Sequence, residues 1–231
     1  WEDRLKPYLG DFAVFGATCE PYEYLWRIIG SENALVWMAG EPELFEAFVN
    51  RVGEWLLALT RAEIEAGQGR LAGMYVYGDV AYRRCMLFSP AWWRRLFKPI
   101  VRQIIDECHK HGLMVVYHGC GNAEAIFDDL AEIGLDAYNP LEAKANLDVV
   151  ELKKKYAGRL AFVGNVDVRV LEAGDPEAIR REVRYKLQAA RGGGWVFQSD
   201  HSITSDVAPE SYALAIQFLR QYGNYPLPSD S

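Results

Sequence analysis

The sequence predicts an α/β fold in which short buried strands alternate with long amphipathic helices, and three observations carry this. Six short apolar runs recur along the chain, helical patterns fill the spaces between them, and polar residues gather after the C-terminal end of nearly every run. Alternation of this kind points to βα units and a parallel sheet. Polar groups on several strand ends favour a (β/α)8 TIM barrel over a doubly wound open sheet, which binds at one switch point. A closed barrel takes eight units and about 250 residues. The chain has 231 residues and about six of the eight units, so the reading is one barrel domain over 1–231 that lacks its N-terminal strands.

The first strand is expected in FAVFG (12–16), where a run of apolar residues ends at glycine. Residues 41–66 follow as a helix, opened by Pro42 at a position where a missing N–H costs little. Its spacing puts Leu44, Phe48, Val52, Trp55, Leu56 and Leu59 on one face. LAGMYVY (71–77) gives the second strand, and Ser89-Pro90 then caps and opens a helix running to about His111. LMVVY (113–117), DAYNP (136–140) and LAFVG (160–164) read as the third, fourth and fifth strands. Asp175-Pro176 opens a helix that stops at RGGG, WVFQS (195–199) is the sixth strand, and Pro209 opens the last helix.

A net charge of −7 excludes an extended nucleic-acid or anionic-membrane face. No apolar run approaches the roughly 20 residues of a membrane span. The N-terminus shows no signal-peptide progression and no initiator Met, so the sequence reads as an excerpt or processed product. Cys19, Cys85, Cys108 and Cys120 are ordinary usage without a CxxC pair, which predicts reduced thiols and a cytoplasmic protein.

The polar strand ends supply the candidate chemistry. His118 and Cys120 lie two apart in HGCG, so in an extended segment both project to one side. Imidazole nitrogen and thiolate sulfur are good zinc ligands, though His-x-Cys alone is equally a small buried hydrophobe beside a hydrogen-bonded ring. His201 in SDHSIT adds a third donor, with Asp79, Glu142 or Asp167 as reserve oxygen ligands. Asp79 and Asp167 are also candidate acids, bases or acceptors, and Asp167 fits a helix cap as well. Arg83 and Arg84, in the loop after the second strand, suit an anionic substrate or a solvated surface. His109 and His111 sit at a helix C-terminus, where cations suit the helix dipole, and are read as structural.

Taken in order, GDV (78–80), SP (89–90), HGCG (118–121), GNVD (164–167), DHSI (200–203) and the ending PESYALAIQFLRQYGNYP make the chain resemble the uroporphyrinogen decarboxylase superfamily, which includes cobalamin-dependent methyltransferases. The resemblance runs from about Phe12 to Pro226 and implies a (β/α)8 barrel that begins here near its third strand. It implies Tyr24 as an active-site tyrosine and His201 as a substrate-contacting histidine. In the methyltransferases a zinc held by His-x-Cys and a later Cys activates a thiol that takes a methyl group from a corrinoid. His118 and Cys120 match the first two ligands, and His201 stands where the later Cys is expected.

The leading expectation is therefore a zinc-dependent corrinoid/thiol methyltransferase-like enzyme, with metal at His118, Cys120 and His201. Asp79, Tyr24 and His201 are its catalytic candidates, and Arg83, Arg84, Asn165 and Asp167 its substrate contacts. A small-molecule substrate, a corrinoid protein and a second copy of the chain are the partners this implies. One alternative is a metal-free porphyrinogen decarboxylase, in which Arg83, Arg84 and His201 serve anionic substrate arms. Another is a non-catalytic barrel remnant acting as a binding scaffold.

Overall fold

The computed structural model describes residues 7, 8 and 10–227. The chain divides into two compact units, one ending at Asp136 and the other beginning at Ala137. Strands and helices alternate through both, in an α/β arrangement that corresponds to part of a (β/α)8 barrel.

The first unit holds β1 (Phe15–Cys19), α1 (Pro21–Ile29), α2 (Ser31–Gly40), α3 (Pro42–Gly67) and β2 (Gly73–Tyr77). A short turn of helix, α4 (Pro90–Trp92), passes through a π-helical turn (Trp93–Phe97) into α5 (Lys98–Lys110). The strand β3 (Met114–His118) and α6 (Phe127–Glu132) complete it. β1, β2 and β3 pair in parallel and in chain order, with Cys19 opposite Tyr77 and Tyr77 opposite His118. The register thus brings three strand ends level; β2 and β3 lead into polar loops, and β1 leads through Glu20 straight into α1.

The second unit repeats the pattern with β4 (Ala137–Asn139), α7 (Val149–Tyr156), β5 (Ala161–Val163), α8 (Val168–Ala173), α9 (Pro176–Leu187), β6 (Trp195–Val196) and α10 (Pro209–Tyr222). β4, β5 and β6 are again parallel neighbours in chain order. Val166, Leu171, Ile179, Val183 and Ala215 form a core between α8, α9 and α10.

The expected elements are present with shifted bounds. β1 lies three residues further on than 12–16, because the chain continues pairing beyond Gly16 as far as Cys19. The Ala17 N–H donates to the Glu63 carboxylate of α3 at 2.9 Å, so an unpaired strand amide is satisfied by a side chain. β6 is shorter than 195–199, although a parallel bridge between Val166 and Ser199 resumes the pairing three residues later. The helix begun at Pro90 is interrupted by the π turn that sequence spacing alone does not reveal.

The expected apolar face of α3 needs correction. Leu44 is 59% exposed and Trp55 46% exposed, whereas Phe45, Val49, Val52, Leu56 and Thr60 are buried. Val52 and Leu56 belong to the expected face and are buried, but packing turned the rest of the face by about one residue, toward Phe45, Val49 and Thr60. The Thr60 hydroxyl donates to the Leu56 carbonyl at 2.8 Å and so can be buried without loss.

Leu56→Ala should therefore lower unfolding free energy by about 2–5 kcal/mol, whereas Leu44→Ala should stay within about 0.5 kcal/mol of the parent. Urea denaturation of both variants checks this, and equal costs would restore the face expected from spacing.

Candidate functional site

In the first unit, the loops after β2 and β3 and the helix that follows β1 meet through hydrogen bonds. The Cys120 N–H donates to Asp79 Oδ1 at 2.8 Å, linking the loop after β3 to the loop after β2. The Asp79 N–H in turn donates to Glu23 Oε2 at 3.3 Å, linking β2's loop to α1. Glu23 is itself buried, accepting from Trp26 Nε1 at 2.9 Å and from Arg27 Nε at 3.0 Å. Asp79 is thus held by its backbone and by one carboxylate oxygen.

Gly78 and Gly121 let these loops close. A Cβ at Gly78 would lie 2.1 Å from the Tyr117 hydroxyl and 3.0 Å from the Glu20 Cβ. Gly121 has φ +79° and a Cβ there would lie 2.6 Å from the Tyr82 carbonyl oxygen, so both conformation and space call for glycine.

Asp79, His118 and Cys120 each offer one ligand atom, and these atoms lie within 4.8 Å of one another. His118 Nε2 is 3.8 Å from Cys120 Sγ. Tetrahedral zinc with ordinary Zn–N and Zn–S bonds would place such atoms about 3.6 Å apart. All three side chains are half-buried, a setting reachable by a small ligand. Nitrogen, sulfur and carboxylate oxygen form a donor set suited to zinc, so the residues present fit the metal that the sequence implied. The Tyr77 ring packs on His118 at 5.1 Å between centroids and fixes one side of the imidazole.

Two groups near these loops went unread in the sequence. Glu20, the residue before α1, is fully buried, and neither carboxylate oxygen has a hydrogen-bond partner. Burial pushes its pKa well above the usual carboxylate range, and the nearby Tyr22 and Glu23 backbone N–H groups, which fall short of hydrogen-bond geometry, counter this only in part. Cys19 is pushed up to about 11, first by burial and then by the Glu23 charge, so it remains a thiol. The available signal was CEPYE, acidic residues packed around a strand end and a helix-opening proline.

The Tyr24 ring packs on Trp55 of α3 at 4.7 Å, beside an open depression also bordered by Arg51 and Ala58. Arg83 and Arg84 are exposed on the loop after β2, as their sequence position implied. His109 bonds to Asp136 at 2.8 Å and His111 lies 3.7 Å from Glu107, each at the end of α5.

In the second unit, Asp200 organises the loops. Its two carboxylate oxygens accept from the Ala143 and Val168 N–H groups, each at 2.9 Å, joining the loops after β4 and β5 to the segment after β6. Burial raises its pKa, with those two N–H groups opposing. The neighbouring His201 places Nε2 3.9 Å from Glu142, which also meets Lys144 at 3.0 Å. Asn165 is fully buried: it accepts from the Val149 N–H and Lys186 and donates to the Leu141 and Leu147 carbonyls. Asp167 caps α8, accepting from the Arg169 N–H at 2.9 Å and pairing with its guanidinium. That pair holds the Asp167 pKa low despite burial, which acts to raise it. Asn165 and Asp167 therefore have structural partners within this unit.

The family model described as uroporphyrinogen decarboxylase (URO-D) matches residues 3–222. A uroporphyrinogen decarboxylase from Mannheimia succiniciproducens is 28% identical over 221 residues, covering 92% of this chain and 60% of its own length. One from Cupriavidus pinatubonensis is 30% identical over 191 residues, covering 80% of this chain and 50% of its own. A methyltransferase from Methanosarcina mazei shares the fold with a TM-score of 0.78 at 19% identity, over 95% of this chain and 62% of that one. The chain thus spans 60% or less of the length of these two curated relatives. No helix among the described residues is long and apolar enough to cross a membrane.

Glu20 gives a pH-dependent prediction. Its folded pKa is raised, so its contribution to stability is full below the unfolded value and is lost as pH rises toward the folded value. Glu20→Gln should therefore melt above the parent at pH 8, with the gap closing near pH 4; each kcal/mol corresponds to about 2–4 °C in a chain of this size. A melting difference that does not change with pH would contradict the raised pKa of this buried acid.

Proposed function

The chain belongs to the uroporphyrinogen decarboxylase family, and on that premise we propose that it serves a zinc-dependent methyl transfer to a small-molecule thiol, with a corrinoid as methyl donor. The observation that carries this reading is the convergence of Asp79, His118 and Cys120 to within 4.8 Å. Metal-free decarboxylation has no evident use for the Cys120 sulfur at that position.

His118 and Cys120 supply the nitrogen and sulfur ligands, and Asp79 offers a carboxylate oxygen beside them. His201 enters as a further ligand on the strength of the sequence resemblance alone. A zinc ion bound there would favour the ionised form of a substrate thiol. The protein's own part is positional. Asp79 fixes the Cys120 backbone through its N–H, Tyr77 packs against the imidazole, and Glu23 holds the Asp79 loop. Donor atoms restrained in this way lose little freedom when a ligand arrives.

A decarboxylase reading has one specific support, the shared name of the curated relatives across 92% of this chain. Under it the protein would act without metal, with Tyr24 lining the cavity and Arg83, Arg84 and His201 receiving carboxylate arms. The two readings separate over metal content.

Zinc measured by inductively coupled plasma mass spectrometry, on untagged protein, should approach one ion per chain. Cys120→Ser and His118→Ala should each lower zinc affinity by at least about 10–100-fold, and thiol methylation should fall with it. Metal-free protein that decarboxylates a porphyrinogen, with Cys120→Ser unaffected, would instead establish the second reading.

A further inference from the structure

The loop after β2 folds back as a small hairpin. Ala81 pairs antiparallel with Met86, the Tyr82 N–H donates to the Cys85 carbonyl at 2.7 Å, and the Leu87 N–H to the Val80 carbonyl at 2.9 Å. The loop after β3 docks against it through the Asn122 N–H, which donates to the Tyr82 carbonyl at 2.9 Å. Gly121 leaves no room between them for a side chain. These contacts border an open surface cavity of about 380 Å³ between the hairpin, the start of α4 and the turn at Asn122–Ala125.

The lining of this cavity is divided by chemistry. Met86, Phe88 and Pro90 supply apolar surface, while Arg84, Ser89 and Asn122 supply polar groups. Arg84 makes no ion pair among the described residues, whereas Arg94 and Arg95 nearby in sequence are engaged by Asp129 and Glu46. Arg83, its exposed neighbour, does not line the cavity. A single guanidinium fork matches the two oxygens of one carboxylate, and the lining holds no second cation for a phosphate dianion.

We propose that this cavity is a binding subsite for a small monocarboxylate with an apolar body, the carboxylate on Arg84 and the body against Met86 and Phe88. The hairpin begins just beyond Asp79, and the docking turn follows Cys120 directly, so the loops that carry the candidate metal ligands also build the subsite. Its service as the anchor of the reacting substrate rests on the methyl-transfer reading; the binding itself does not.

Cys85, an exposed free thiol on the same lining, reports occupancy. In alkylation by iodoacetamide its sulfur displaces iodide, forming an S–C bond and losing its proton to buffer, and the rate is followed on the Cys85 peptide by mass spectrometry. Benzoate serves as the carboxylate probe and benzamide as its uncharged counterpart, on full-length protein as purified and after chelation. Benzoate should slow Cys85 alkylation saturably, by about tenfold at ten times its Kd, while benzamide has little effect. Arg84→Ala should abolish the protection and Arg84→Lys should retain a weaker form, with unchanged melting temperatures showing that both variants are folded. Equal protection by benzamide, protection that persists in Arg84→Ala, or no saturable protection would each overturn the subsite. Loss of zinc leaves this readout intact, so failure of the metal reading and failure of the subsite are distinguishable.

Discussion

The hydrogen bond from the Cys120 N–H to the Asp79 carboxylate is the constraint on which the candidate site rests. Parallel pairing brings the strand ends level, but it does nothing to arrange the loops beyond them. One carboxylate oxygen does that work by accepting a backbone amide from the adjacent loop, while the Asp79 amide is held by Glu23. The sulfur and imidazole beside it then occupy fixed positions without needing rigid loops of their own. Charge-assisted bonds of this kind are stronger than neutral ones.

The second unit uses the same device on different strands. Asp200 spans two backbone amides from two other loops, and its burial is tolerated because both oxygens are satisfied. Asn165 does so with a neutral amide, filling its donor and acceptor capacity inside the protein. Against that background Glu20 is unusual: it is as deeply buried, has no hydrogen-bond partner for its side chain, and burial raises its pKa well above the usual carboxylate range. Groups kept in an uncommon protonation state at strand ends are frequent companions of chemistry, although structural burial produces them too.

Family membership and a shared barrel fold do not by themselves choose a reaction, because one fold hosts many chemistries. The choice lies in a few side chains at the strand ends. A sulfur donor at Cys120 favours metal, while free cationic surface at Arg84 suits a carboxylate-bearing substrate under either reaction.

The sequence by itself determined the strand–helix alternation, the residues after each strand, and the approach of His118 to Cys120. Those are local matters of periodicity, Pro and Gly placement, and a two-residue spacing in extended chain. Asp175 and Asp167 were legible as caps for the same reason, since a cap needs only its own helix. Tertiary structure decided what depends on neighbours distant in sequence. It kept Val52 and Leu56 on the buried face of α3 but put Phe45 and Val49 there in place of Leu44 and Trp55, because only packing distinguishes neighbouring faces with the same period. It set Tyr24 against Trp55, brought Asp79 to Cys120 across 41 residues, and enclosed Glu20, because burial and long-range hydrogen bonds exist only once strands from separate stretches lie side by side.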